Sequence, residues 1–171
     1  MIKIGLLSDT HSYLDPRIFD LYKSCDEIWH AGDFGDEEVS KQLSGFRPLR
    51  GVFGNIDGTP IRQLHPLNQH FTVEGLTVLI THIGGYPGNY FPEAKKDIEL
   101  YKPGLFISGH SHILKVMPDK KNNLLHMNPG AAGKHGFHKL RTLLRFEIQS
   151  GKIENLEAIE LGTRSAIDSD L

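Results

Sequence analysis

Seven side chains of types that bind metal ions follow segments with strand character. In chain order these are Asp9, His11, Asp33, Asn55, His82, His110 and His112. Because side chains alternate along an extended chain, Asp9 and His11 point to one side, and His110 and His112 do the same. Each pair can therefore chelate an ion. Imidazole and carboxylate ligands together favour manganese, iron, cobalt, nickel or zinc over magnesium or calcium.

The charge of this set indicates the substrate that a metal cluster would favour here. Asp9 and Asp33 contribute two negative charges, whereas Asn55 and four neutral imidazoles contribute none, against four positive charges on two divalent ions. The net positive cluster suits a phosphate group. Two ions about 3.5 to 4 Å apart share a water and lower its pKa towards about 7, giving a bridging hydroxide for in-line attack on phosphorus. No side chain is therefore assigned as the nucleophile.

The segments that position these residues alternate between strand and helix in the first half of the chain and form hairpins in the second. Predicted strands are Ile2–Ser8, Asp26–Trp29, Leu49–Phe53, Gln69–Val73, Leu76–Thr81, Leu105–Ser108, Lys115–Met117, Leu124–Met127, Leu140–Gln149 and Lys152–Leu161. Predicted helices are Pro16–Ser24, a helix from the cap Asp36 to Ser44, and Phe91–Tyr101. This order predicts an α/β fold, a four-layer α-β-β-α sandwich of two mixed sheets flanked by helices. Ligand sites in such sheets gather beyond the carboxyl ends of the strands.

Length and composition narrow the classes of protein to which the chain can belong. Its 171 residues are expected to form one domain, residues 1–171. A formal charge of -2, with Lys and Arg spread along the chain, argues against a nucleic-acid-binding surface. One cysteine, Cys25, predicts a reducing, cytoplasmic setting, and the apolar start Ile2–Leu7 is too short for a signal peptide or membrane span. The polar end, Thr163–Leu171, is expected to be loosely held.

The ordered motifs resemble those of calcineurin-like metallophosphoesterases. The matching motifs are Asp9-x-His11, Gly32-Asp33-x-x-Asp36, Gly54-Asn55-x-Asp57, Thr81-His82 and Gly109-His110-Ser111-His112. The short chain and Asn128-Pro129-Gly130 resemble the small phosphodiesterase branch of bacteria and archaea. Each motif alone is weak, but five in this order, each after a strand, form a strong joint signal.

This resemblance implies a cofactor and a role for each ligand-type residue. One ion would be held by Asp9, His11, Asp33 and His112, and the other by Asn55, Asp33, His82 and His110. Asp33 would bridge the two ions, and Asn55 is also the expected substrate-binding residue. The cofactors would be two divalent transition-metal ions, with Mn²⁺ expected first and Fe, Ni, Co or Zn as alternatives.

One position departs from the family pattern and bears on the substrate. Many members have histidine after the Gly-Asn pair, where it contacts the phosphate and protonates the leaving group, but this chain has Ile56. Substrates with good leaving groups, notably phosphodiesters, are therefore favoured over alkyl monoesters. The expected partner is a small phosphoester, with nucleic acid only as a small nucleotide or a strand end. A homo-oligomer is left open.

The other polar and aromatic residues are expected to be structural. Asp36 is expected to cap a helix and Asp57 to form a tight turn. Both are predicted to hold the metal-binding residues in place without binding an ion themselves. The histidines without partner spacing are His30, His65, His70 and His126. The basic loop of Lys134, His135, His138 and Arg141 is predicted to be a solvated surface, and the aromatic residues Tyr86, Tyr90 and Phe91 to anchor a helix.

Two rival functions are compatible with the same motifs. The first is a scaffold, because the metallophosphoesterase-like subunit of the retromer coat acts mainly as one after losing ligands, whereas all seven positions are intact here. The second is a nuclease or cyclic-nucleotide phosphodiesterase that uses the same chemistry. The sequence has no basic channel that would favour this second rival.

Overall fold

The computed structural model describes residues 1–165. In chain order its elements are β1 (Ile2–Leu7), α1 (Ile18–Leu21), β2 (Glu27–His30), α2 (Glu37–Phe46), β3 (Leu49–Gly51), α3 (Thr59–Leu64), β4 (Asn68–Val73), β5 (Leu76–Thr81), β6 (Gly85–Tyr86), β7 (Asn89–Tyr90), α4 (Pro92–Tyr101), β8 (Leu105–Ile107), β9 (Leu114–Asp119), β10 (Leu124–Pro129), β11 (Leu140–Gln149) and β12 (Lys152–Thr163). Of the segment Thr163–Leu171 that is predicted to be loosely held, residues 166–171 lie outside the described residues.

Two five-stranded mixed sheets form the framework. The first has the strand order β12-β11-β1-β2-β3, in which β1, β2 and β3 run parallel and β11 and β12 are antiparallel neighbours. The second has the order β4-β5-β8-β10-β9, in which β5, β8 and β10 run parallel and the edge strands are antiparallel. The parallel strands are neighbours in each sheet, on one side of the first sheet and in the middle of the second, and their carboxyl ends lie at the same end of the sheet.

The main core lies between the sheets, and helices cover both outer faces. Side chains from both sheets form the inner cluster, among them Ile4, Leu6, Trp29, Val78, Ile80, Ile107, Met127 and Phe146. The first three helices pack on the first sheet through Ile18, Val39, Leu43 and Ile61, and α4 packs on the second sheet through Ala94 and Ile98. These four layers confirm the predicted α-β-β-α sandwich.

Most predicted boundaries are shifted by one or two residues, and the larger differences from the prediction concern α1, α3 and the pair β6 and β7. The predicted helix Pro16–Ser24 contains only the single turn Ile18–Leu21, because the chain then turns so that the Tyr22 hydroxyl donates to the backbone of Leu6 at 2.8 Å. The six-residue helix α3, which begins with Pro60 in its first turn, was not predicted. The two-residue strands β6 and β7 were also missed, since such short strands have no readable period.

Length and apolar composition decide whether a helix can cross a membrane. Among the residues that the structure describes, no helix combines the length and the apolar composition that crossing a bilayer requires.

Candidate metal centre

The seven ligand-type residues converge from five loops at the carboxyl ends of the parallel strands. Asp9 and His11 follow β1, Asp33 follows β2, Asn55 follows β3, His82 follows β5, and His110 and His112 follow β8. Both sheets therefore contribute to one site. The structure brings all seven of these side chains together, and their binding of metal ions stays a prediction.

The first group of three consists of Asp9, His11 and His112. Its nearest ligand atoms all lie within 4.8 Å of one another. Nε2 of His112 is 3.1 Å from Oδ1 of Asp9, and Nε2 of His11 is 3.8 Å from the same oxygen. Three donor atoms from two loops thus face one point.

The second group of three consists of Asp33, His82 and His110, and its ligand atoms also lie within 4.8 Å of one another. Asn55 completes it, because its Oδ1 lies 3.1 Å from Nε2 of His82 and 3.0 Å from Nδ1 of His110. Four side chains from four loops therefore meet at this second point.

Asp33 lies between the two groups. Its Oδ2 is 3.3 Å from Nε2 of His82 in the second group and 3.4 Å from Nε2 of His11 in the first. Its other oxygen, Oδ1, accepts a hydrogen bond from the backbone amide of Ile56 at 3.1 Å, which fixes the carboxylate plane. One carboxylate thus serves both groups.

The protein alone does not satisfy these polar atoms. Oδ1 of Asp9 and Nε2 of His11 are buried and have no hydrogen-bond partner among the described residues. Although burial alone would raise the pKa of Asp9, the neighbouring rings of His11 and His112 hold it well below its usual value, so this carboxylate is ionised. An anionic oxygen and imidazole nitrogens buried without partners are costly. The donor set therefore fits divalent cations.

The imidazoles of His82 and His112 are oriented by hydrogen bonds at Nδ1, the ring nitrogen that points away from the ligand groups. Nδ1 of His82 lies 2.7 Å from the Ala31 carbonyl oxygen, which can only accept. That nitrogen therefore carries a proton, and Nε2, which points at the second group, is the nitrogen that would bind an ion.

For His112 the rear partner is another histidine, His138. Nε2 of His138 lies 2.8 Å from the Gly133 carbonyl oxygen, so it carries the proton and leaves Nδ1 as an acceptor. The Nδ1 atoms of His138 and His112 are 3.1 Å apart, so His112 donates there, and its Nε2, 3.1 Å from Oδ1 of Asp9, is the nitrogen that would bind an ion. Burial lowers the pKa of His138, which favours this neutral form.

The backbone of the site adopts an uncommon conformation. Five of the ligand-type residues have positive φ, namely Asp9 at 53°, His11 at 45°, Asp33 at 57°, His110 at 70° and His112 at 61°. Non-glycine residues rarely adopt this region, and those that do cluster at functional sites. Gly54 permits the closest approach, since a Cβ there would lie 2.0 Å from Oδ1 of Asp33.

The two aspartates predicted to support the ligands play different parts. The buried carboxylate of Asp57 accepts backbone hydrogen bonds from Phe34, Gly35 and Gly54 at 2.8 to 3.2 Å, so it ties the Asp33 loop to the Asn55 loop. Asp36 is exposed and caps α2 by accepting from the amide of Glu38. None of its described hydrogen bonds reaches a ligand-type side chain.

Residues outside the seven mostly follow the prediction, with two corrections in the loop predicted to be solvated, at Arg141 and His138. His30 is buried, with Nε2 3.0 Å from the Thr10 hydroxyl, as expected for a structural histidine. Arg141, predicted to be solvated, is instead fully buried and pairs with Asp15 at 2.9 Å. The contact of His138 with His112 was missed, because no spacing in the sequence connects the two.

Fold and donor set together define the class of this protein, an α/β sandwich with a candidate metal centre at the carboxyl ends of its parallel strands. A family model described as the calcineurin-like phosphoesterase superfamily domain matches residues 2–151, and the chain belongs to that superfamily. The family assignment drawn from the five motifs is thereby confirmed.

Known relatives and solved structures agree with this assignment. A probable metallophosphoesterase of Methanothermobacter thermautotrophicus is 28% identical over 136 residues, covering 75% of this chain and 76% of the relative. An archaeal phosphodiesterase superposes with a TM-score of 0.75 at 20% identity, over 94% of this chain and 100% of that one. Vps29 of Chaetomium thermophilum superposes with a TM-score of 0.72 at 15% identity, over 95% and 99% of the two chains. The structural likenesses establish a shared fold.

Proposed function

We propose that this protein is a dinuclear metal-dependent phosphodiesterase. The observation that carries the proposal is the pair of three-residue ligand groups, each with its atoms within 4.8 Å of one another, joined by Asp33, which belongs to the second group and lies 3.4 Å from His11 of the first. One ion would be held by Asp9, His11, Asp33 and His112, and the other by Asn55, Asp33, His82 and His110.

When bound, divalent ions supply Lewis acidity and lower the pKa of a shared water. The chain's own contribution is to hold the donor atoms in place: Ala31 and His138 fix the rear of two imidazoles, and Asp57 joins two of the loops. In the overall reaction water adds to phosphorus and one ester P–O bond breaks, which releases an alcohol or phenol and a monoester. No protein nucleophile is needed.

The side chain at position 56 favours esters with a good leaving group. Ile56 lies beside the centre, with 47% of its surface exposed, at the position where a histidine would donate a proton. Without that donor, hydrolysis depends on a leaving group that departs easily as an anion. Manganese as the ion, a single domain over residues 1–171 and a cytoplasmic location remain predictions.

A scaffold is the second candidate, because the fold is shared with Vps29 proteins. The two candidates differ in what the seven side chains must do. A scaffold needs no turnover and tolerates their loss, whereas the hydrolase needs Asp33 above all, since that carboxylate contacts both groups.

Assays of the purified protein with Mn²⁺ test the proposal. We expect faster turnover of bis(p-nitrophenyl) phosphate than of p-nitrophenyl phosphate, two bound ions per chain by elemental analysis, and loss of both metal and activity on chelation. Asp33→Ala should abolish turnover. Asp20→Ala, which removes a carboxylate exposed on α1, should leave turnover unchanged.

Two outcomes would contradict the proposal in different ways. A clear preference for the monoester would overturn the assignment as a phosphodiesterase but keep the hydrolase. A folded protein that binds no Mn²⁺, Fe²⁺, Co²⁺, Ni²⁺ or Zn²⁺ and hydrolyses neither ester would favour the scaffold.

A further inference from the structure

One cleft of about 660 Å³ opens onto the metal centre. Five ligand-type side chains line it, namely His11, Asp33, Asn55, His110 and His112. Pockets for small organic molecules occupy about 300 to 1,000 Å³, so the cleft has room for much more than a phosphate group. A phosphodiester held at the centre would therefore place its substituents against the remaining walls.

Five of the remaining side chains that line the cleft are apolar and exposed, and polar residues make up most of the rest of the walls. We call the five the apolar rim, which consists of Ile56, Ile113, Leu114, Phe137 and Leu140. Phe137 is the extreme case, because its side chain is 102% exposed and so gains nothing from the protein's own core. Grouped exposed apolar side chains around one opening are typical of binding sites.

The loop that carries Phe137 is fixed against the metal centre on both sides of that residue. On one side, Gly136 has φ of 130°, and a Cβ there would lie 2.3 Å from Nδ1 of His112. On the other side, His138 contacts both the His112 ring and the Gly133 carbonyl. The position of Phe137 at the cleft is therefore set by contacts with a ligand-type residue.

A second ring faces the same cleft from this loop. The His135 ring lies 4.9 Å from the His11 ring, centre to centre, with an angle of 33° between the planes. The rings of Phe137 and His135 favour a planar aromatic ligand, since aromatic rings in contact gain more free energy than their buried area alone provides.

Resting on the proposed function, we infer that the apolar rim is the binding site for the substituent that stays on phosphorus. It selects diesters in which that substituent is a planar aromatic group, either an aryl ring or a nucleobase. A neighbouring cavity of about 570 Å³, with the half-exposed Phe91 on its wall, is the alternative location. Only Asn55 and His82 of the seven ligand-type residues reach that cavity, so the rim is favoured.

Three substrates with one leaving group, p-nitrophenolate, and different retained groups test this inference. They are bis(p-nitrophenyl) phosphate, the p-nitrophenyl ester of thymidine 5′-phosphate and ethyl p-nitrophenyl phosphate. For Phe137→Ala we expect the ratio of kcat/KM for each aromatic diester to that for the ethyl diester to fall about fivefold, mainly through KM. The matched variant Phe91→Ala should leave these ratios unchanged.

A binding measurement separates recognition from turnover. Diphenyl phosphate and diethyl phosphate lack an activated leaving group, and calorimetry on the Mn²⁺-loaded protein should show tighter binding of the diphenyl ester, lost in Phe137→Ala. If that selectivity is present without hydrolysis of any ester, the rim stands and the proposed function fails. Equal ratios in Phe137→Ala and wild type, or a selective loss in Phe91→Ala, would overturn the inference while the hydrolase remains.

Discussion

Replacing His138 tests how far the orientation of one imidazole controls metal binding. In the wild type, His138 accepts from Nδ1 of His112 at 3.1 Å and donates to the Gly133 carbonyl at 2.8 Å. His138→Ala removes this acceptor but leaves all seven ligand-type side chains in the chain. The His112 ring would then be free to rotate, and its Nε2 would face Asp9 for only part of the time.

The size of the effect follows from the contacts that are lost. One neutral hydrogen bond contributes about 0.5 to 1.5 kcal/mol, and ordering the freed ring again on binding costs up to about 1 kcal/mol. Together these give about 0.5 to 2.5 kcal/mol, or about 2- to 70-fold weaker binding. In other proteins, removing a group that orients a metal ligand typically weakens metal binding about 10- to 100-fold. We expect a loss of about tenfold.

Titration of the metal-free protein with Mn²⁺, followed by the electron paramagnetic resonance signal of the free ion, measures this loss. His138→Asn keeps an acceptor oxygen near the position of Nδ1 and should retain most of the affinity. His70→Ala removes an exposed imidazole on β4 that stacks on Tyr101, and should bind as the wild type does. Affinity of His138→Ala within twofold of the wild type would refute the reasoning. Equal losses in the Ala and Asn variants would show that the acceptor is not what matters.

Three further predictions concern stability, measured by urea denaturation for Asp15 and His126 and by thermal unfolding for Asp57. Burial would raise the pKa of Asp15, but Arg17 and Arg141 lower it to about 2, so its stabilising charge is present above its ordinary pKa of 3.8 and lost as pH falls through 2. Asp15→Asn should lower the free energy of unfolding by about 3 to 5 kcal/mol at pH 7. This difference from the wild type should narrow in acid, and a difference that does not depend on pH would contradict the prediction. Burial lowers the pKa of His126 from 6.5 to about 4, so protonation of the unfolded chain removes about 2 kcal/mol of stability at pH 5. His126→Phe should eliminate that acid-dependent loss, and an unchanged pH profile would contradict it. Asp57→Ala leaves three backbone amides without their acceptor. It should lower the melting temperature and also weaken Mn²⁺ binding, and a change in neither would contradict the role of Asp57 in joining the two loops.

Much of the fold is readable because its strands have strong local signals. The apolar run at β1 and the Glu74-Gly75 turn between β4 and β5 predict elements that the structure contains. The short helix α3 has no such signal, since six residues are too few to display a period. Tyr22 ends α1 through hydrogen bonds to Leu6 and Leu144, contacts 16 and 122 residues away that no local pattern encodes.

The candidate site divides in the same way between local and distant information. Its seven ligand-type residues are readable because each follows a strand, and the topology of parallel strands then brings them to one edge. The role of His138 is not readable, because it depends on how the loop after β10 folds back onto His112. Arg141 was misjudged for a related reason: its partner Asp15 is 126 residues away, and only that pairing makes burial of a guanidinium tolerable.

Unfavourable local features gather at the candidate metal centre among the residues that the structure describes, and this concentration itself bears on function. Two of the three buried side-chain polar atoms without partners in the described residues belong to Asp9 and His11. Both residues also have positive φ, as does Asp33 beside them. A fold selected for stability alone would replace such groups with apolar ones, as it does between the sheets. A bound cation would satisfy the unpartnered atoms and offset the backbone cost together, which explains why these features occur jointly.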